Sequence, residues 1–214
     1  MKRRLYLSLV MQDKLDDYHH YMSYYENQFR QSLQEQKVMT CSVFRYNYIL
    51  FIYVEARVDT WFLEWPPAMR NLLEHWPSIH EMETAIELID VFHDNRPVLG
   101  KPWRTTKPEQ RKAAMARLNP EYVASYVYYH YQMQEERPGS FNKTYIIGSY
   151  GRYLFSYCEL PADKGDTSPG RLSTSLTPNN WHEIMHPHFE PWDTSDEGAL
   201  WKPMNLEFCF ISTD

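Results

Sequence analysis

The apolar run from Leu5 to Val10 is interrupted by Tyr6 and Ser8 and stops at Gln12-Asp13, which predicts a first β-strand over 3–11. Leu15, Tyr18, Met22, Tyr25 and Phe29 then recur at spacings of three and four, marking one face of a helix over 13–35. Val38 to Val54 is β-branched and aromatic and is split by a turn at Arg45-Tyr-Asn47, giving strands over 38–46 and 48–56. A second helix over 66–76 and a last strand over 87–93 complete a strand-helix-strand-strand-helix-strand series.

The series is legible twice. Arg3 to Met22 lies over Arg111 to His130 without gaps at an offset of 108, so that Tyr18 meets Tyr126 and Met22 meets His130. Tyr48-Ile-Leu-Phe-Ile-Tyr-Val-Glu55 resembles Arg152-Tyr-Leu-Phe-Ser-Tyr-Cys-Glu159, and Ile89-Asp-Val-Phe92 corresponds to Leu206-Glu-Phe-Cys209. The common order of these matches predicts a diverged tandem duplication. A β-α-β-β-α-β order is the ferredoxin-like pattern. The expected fold is therefore α+β, with two tandem ferredoxin-like repeats packed sheet to sheet. The expected boundaries are 1–95 for a first repeat, 96–110 for a linker rich in Pro and polar residues, and 111–214 for a second repeat. One stretch pulls two ways: Thr106-x-x-Glu109 is a capping box and Gln110 to Leu118 has helix-former composition, whereas the repeat register makes it a strand. The register is followed.

Composition narrows the function. Hydrophobic residues make up 43% of 214, enough for a packed core, and 17 Tyr, 7 Trp and 10 Phe against 7 Gly suit the gripping of a flat ligand face. The net charge of −6 argues against a nucleic-acid partner. No run approaches the roughly 18 apolar residues of a membrane span, and the N-terminal stretch has no small-residue cleavage site. Cys41, Cys158 and Cys209 are odd in number and widely spaced, as expected of buried thiols in a reducing compartment, so the expected location is cytoplasmic. Pro161 to Asn180 is a polar stretch without periodicity, either a surface insertion or a lid over the second repeat's pocket. Glu135-Glu136-Arg137 and Lys14-x-Asp16-Asp17 read as solvated helix faces.

Tyr126-x-x-x-His130 places a phenol and an imidazole one helical turn apart on one face. A His titrates near neutrality and can move a proton in both directions. The sequence from Arg111 to His130, with its Arg-Lys-Ala strand, Pro-led turn and Tyr-x-x-x-His, resembles the opening of the L-rhamnose mutarotase family. That resemblance implies that the two repeats form an intramolecular dimeric α/β barrel. It also implies a cofactor-free mutarotase that interconverts the α and β anomers of L-rhamnose or a related sugar. It makes His130 the catalytic acid/base, Tyr126 its helix partner, and Tyr145 a substrate-binding strand residue. Trp192 takes the place of one of the family's paired Trp residues, with Asp193 breaking the pair. Trp181 and Trp201 are further candidates to stack on a sugar. The first-repeat equivalents are Tyr18, Met22 and Trp76, and because Met cannot carry a proton that half is expected to be inactive. The implied partner is a small sugar, bound by a monomer that reproduces the family's dimer, with further self-association left open.

Two alternatives stand beside this reading. One is a non-catalytic sugar- or metabolite-binding protein. The other is a metal-dependent enzyme: His182-Glu-Ile-Met-His186, followed by His188, is a formal zinc-ligand pattern, although Pro187 and Pro191 oppose a long helix there.

Overall fold

In chain order the computed structural model has β1 (Lys2–Leu9), α1 (Leu15–Tyr24), α2 (Glu26–Glu35), β2 (Val38–Tyr46), β3 (Ile49–Ala56), α3 (Pro67–Arg70), β4 (Trp76–Pro77), β5 (Met82–Glu83), β6 (Ile86–Glu87), β7 (Ile89–His93), β8 (Gln110–Arg117), α4 (Val123–Glu136), β9 (Ile146–Tyr150), β10 (Tyr153–Leu160), α5 (Trp181–Met185) and β11 (Trp201–Ile211). The structure describes residues 1–57, 63–77, 82–98, 101–164, 170–192 and 200–212. The fold is mixed α+β and antiparallel. It divides into unit 1, Met1–Leu88 with Asn205–Asp214, and unit 2, Ile89–Met204.

Unit 1 orders its strands β6-β1-β3-β2, and Asn205–Ile211 of β11 pairs with β2 at the end of that row. The tight β2–β3 turn is made by Asn47 at φ 52, a left-handed conformation that Asn tolerates. Alternate residues of β3 (Leu50, Ile52 and Val54) join Tyr18, Tyr21, Phe29 and Leu33 of the helices in one core. Phe29 stacks on Trp65 at 5.1 Å and meets Phe208 at 4.8 Å. The Tyr18 hydroxyl donates to Glu207 at 2.7 Å. The phenol aligned with Tyr126 is thus a core residue, and large side chains fill the space around it. Trp76 lies in the short β4–β5 ladder instead.

Unit 2 orders its strands β8-β10-β9-β7, with Trp201–Met204 of β11 on the free side of β8. Gly151 at φ +56 closes the β9–β10 turn. Gln110–Arg117 is a strand: eight residues paired with β10 outweigh helix propensity. The core joins Val91, Phe92, Ala116, Leu118, Ile147 and Leu154 to Tyr126, Met185 and Phe189.

The expected boundaries at 1–95, 96–110 and 111–214 differ from these units, because the stretches expected to close each repeat are each divided between two pairings. The 87–93 strand is cut at Leu88: Ile86–Glu87 pairs with β1, while Ile89–His93 pairs with β9 of unit 2. Most of β11, in turn, belongs to unit 1. The segment expected as a linker is fastened to unit 2. Arg104 makes paired bonds of 2.6 and 2.7 Å to the buried Glu159, and Thr105 donates its N–H and hydroxyl to Asp163 at 3.0 and 2.9 Å. The helix expected over 13–35 breaks at Tyr25 (φ −110, ψ 12) into α1 and α2. The helix expected over 66–76 shrinks to Pro67–Arg70, because Leu73 is drawn into a bridge with Val10.

Candidate functional site

Asn119-Pro120 ends β8 and opens α4 through a short turn, after which Tyr126, His130 and Met133 recur at i, i+4 and i+7 and face inward. They line a cavity of about 620 Å³ in unit 2. Phe92 of β7, Tyr145 and Ile147 at the start of β9, Trp181, His182 and Met185 of α5, and Trp201 of β11 supply other walls. Among the described residues the lining carries no carboxylate, amide, Lys or Arg. Ala114 and Ser156, paired across β8 and β10, stand where the comparison of the two sequence halves has Tyr6 and Ile52.

His130 is 5% exposed. Its Nδ1 lies 2.9 Å from the Tyr126 carbonyl oxygen, which can only accept, so Nδ1 carries the proton and Nε2 the lone pair. Rings enclose it: Tyr126 at 4.0 Å between centroids, Trp181 edge-on at 5.0 Å and Phe92 at 5.6 Å. Burial lowers its pKa to about 4, with His188 adding to the effect and the Tyr126 carbonyl opposing it. Burial likewise pushes the Tyr145 phenol up to about 12, and the Tyr126 phenol well above its ordinary value, each reinforced by a neighbouring group. At neutral pH the site is therefore a neutral imidazole base beside two protonated phenols, which can hold an oxygen on which negative charge develops.

Of the residues singled out from sequence, Tyr126, His130, Tyr145, Trp181 and Trp201 line this one cavity. Trp192 does not line the cavity. After Phe189 the chain turns onto the end of β8, where Glu190 N–H bonds the Arg117 carbonyl at 2.9 Å and the Arg117 guanidinium lies 4.6 Å over the Trp192 ring. Asp193 lies outside the described residues. The histidine cluster divides. His182 and His186 line the cavity, but α5 ends at Met185 and His188 sits in the following turn with both ring nitrogens engaged. Its Nδ1 faces the Ile184 carbonyl at 3.0 Å and its Nε2 faces Ser125 Oγ at 2.9 Å. Among the described residues no group of three or more His, Cys, Asp or Glu is placed to hold a metal ion. Phe92, Phe141, Phe189 and Met133 were not singled out from sequence. They come from separate elements, and each reads there as ordinary core.

No family model matches the chain, and no curated protein matches it. One solved structure, described as a "putative monooxygenase from Lactobacillus acidophilus NCFM", is similar at 8% identity over 99% of this chain and 97% of that one, with a TM-score of 0.41. Among the described residues no helix is long and apolar enough to cross a membrane.

Proposed function

We propose that unit 2 is the site of a proton-transfer isomerase in which His130 is the base and the Tyr126 and Tyr145 phenols hold the oxygen that gains charge. The observation that carries this reading is the state of His130: a buried imidazole with Nδ1 committed to its own helix, leaving Nε2 basic in a cavity large enough for a small molecule. The substrate presents a flat, largely apolar face to the surrounding rings and one acidic O–H or C–H to Nε2.

Mutarotation of L-rhamnose or a related deoxy sugar is the form of this reaction that the sequence resemblance implies. Nε2 takes the anomeric hydroxyl proton, the bond from the anomeric carbon to the ring oxygen breaks, and the ring oxygen receives the proton from the imidazolium. Rotation of the carbonyl and the reverse steps give the other anomer, so one proton is shuttled and none is consumed. Because burial weakens His130 as a base, its protonated form is a strong acid, which makes the return step the favourable one. The duplicated ferredoxin-like architecture belongs to the same proposal. It is supported by the matching strand orders and by Arg3–Glu55 and Arg111–Glu159, which occupy the same cross-strand position in the two units.

The low basicity of His130 also favours a second reading, binding without turnover. Anomer exchange by saturation-difference NMR on L-rhamnose and a panel of aldoses, with tryptophan fluorescence as the binding readout, separates the two. Exchange that His130→Ala abolishes while binding persists supports the isomerase. Binding without exchange supports the second reading, and the absence of both overturns both for sugars.

A further inference from the structure

The Glu136 carboxylate, in the last turn of α4, fastens a distant segment. It accepts hydrogen bonds from Thr174 Oγ1 at 2.6 Å, Leu176 N–H at 2.7 Å, Thr177 N–H at 2.9 Å and the Thr177 hydroxyl. Gln132, one turn earlier, donates to Glu136 and to Thr174 Oγ1. The adjacent carbonyl of Glu135 accepts from Leu172 N–H at 3.2 Å. Gly170 packs so closely there that a Cβ would stand 1.6 Å from that carbonyl oxygen.

Four residues beyond Thr177 the chain enters α5, whose Trp181 sets its ring edge against His130. At the far side of α5 the chain is tied again, by Asn119 N–H and Nδ2 to the carbonyls of His188 at 2.8 Å and Pro187 at 2.9 Å. The cavity wall made by α5 thus hangs between two ties, one at each end of α4. The two differ in kind. Near Asn119, Met185 and Phe189 are anchored in the core, whereas over 171–176 no residue is buried and Leu176 is 63% exposed. Polar bonds hold that end, to the Glu136 carboxylate, to the Glu135 carbonyl and, from Arg171 Nε at 3.5 Å, to the Glu135 carboxylate, so freeing residues 171–176 exposes little apolar area.

We propose that residues 170–180 form the latched arm of α5, the wall that covers the unit 2 cavity, with the Glu136 carboxylate as the latch and its release as the step that admits the ligand. Glu136 is a positioning residue: it acts through Trp181, which shields His130 from water. The cavity covered is the one read above as the working site, but the cover is testable without any reaction. The titratable groups around His130 are Tyr126 on its own helix, Tyr145 at the start of β9, and His182, His186 and His188 of the α5 segment.

The test uses the full chain with Glu136→Gln, which keeps the shape but sets an amide N–H₂ against the donors, and Gly170→Ala, which breaks the adjacent contact without touching the carboxylate. Proton NMR follows the titration of His130, assigned by its loss in His130→Phe. Stopped-flow fluorescence follows uptake of the apolar probe 1-anilinonaphthalene-8-sulfonate. The expected result is a His130 midpoint raised by about one unit or more, toward the value of a solvated imidazole. Uptake is expected to be faster by about tenfold, the scale of one lost hydrogen bond to a charged group. If one variant fails to fold, the other carries the test. An unchanged midpoint and unchanged uptake in the folded variants overturn the proposal. Absence of anomer exchange, by contrast, would count against the isomerase and leave the cover standing.

Discussion

Replacing His130 by Phe should remove a pH dependence from the folding free energy whose size follows from the structure. The unfolded chain binds a proton at His130 with an ordinary pKa near 6.5, while the folded site holds out until about 4. Between these values the unfolded state carries more protons, so stability falls as the pH falls through the window. The linkage relation gives a loss of about 1.4 kcal/mol at pH 5.5 and about 3 kcal/mol at pH 4, relative to pH 7.5. His130→Phe keeps a ring in an aromatic cage but has no proton to bind. The difference in urea-unfolding free energy between wild type and variant, measured at pH 7.5, 5.5 and 4, cancels every other titrating group to first order. Wild type should lose about 3 kcal/mol more than the variant across this range. A difference that stays flat within about 0.5 kcal/mol would mean that His130 titrates as a solvated imidazole, and the argument for a desolvated base would fall with it.

Tyr145→Phe removes a phenolic donor and should lower turnover on a responsive sugar by about 10²-fold, with the tyrosine absorbance step near pH 12 losing amplitude. Trp192→Phe should leave turnover unchanged and cost less than about 1 kcal/mol in thermal unfolding, since its ring serves a cation–π contact with Arg117 outside the cavity. Arg104→Met strands the buried Glu159 carboxylate without its paired donor and should cost about 3–5 kcal/mol by urea denaturation. A loss below about 1 kcal/mol would show that Arg111 and Tyr157 satisfy Glu159 alone.

The sequence made visible what depends on local periodicity or on the comparison of its two halves. Tyr126 and His130 share a helix face because 3.6 residues make a turn, and the aligned position of Gln110–Arg117 identified a strand that composition would have made a helix. What stayed hidden depends on contacts across long loops. Trp192 follows the cavity-lining stretch closely in sequence, yet the chain turns away at Glu190 before reaching it. Glu136 looks like an exposed helix carboxylate because its partners arrive from about 40 residues downstream. Its hydrogen bonds outweigh the desolvation they impose and hold the carboxyl well below the usual range, so the carboxylate is charged at neutral pH.

β11 also bears on how the chain is made. Its second half is the partner of β2, and Phe210 sits opposite Cys41. In vectorial synthesis residues 1–88 precede that strand, so the outer backbone groups of β2 have no strand partner until residues 205–211 are made. Fragments cut at the sequence repeat inherit the same defect: a 1–95 piece lacks 205–211, and a 111–214 piece lacks β7. Supplying residues 205–211 as a separate peptide during synthesis of residues 1–88 should let unit 1 close without waiting for the rest of the chain.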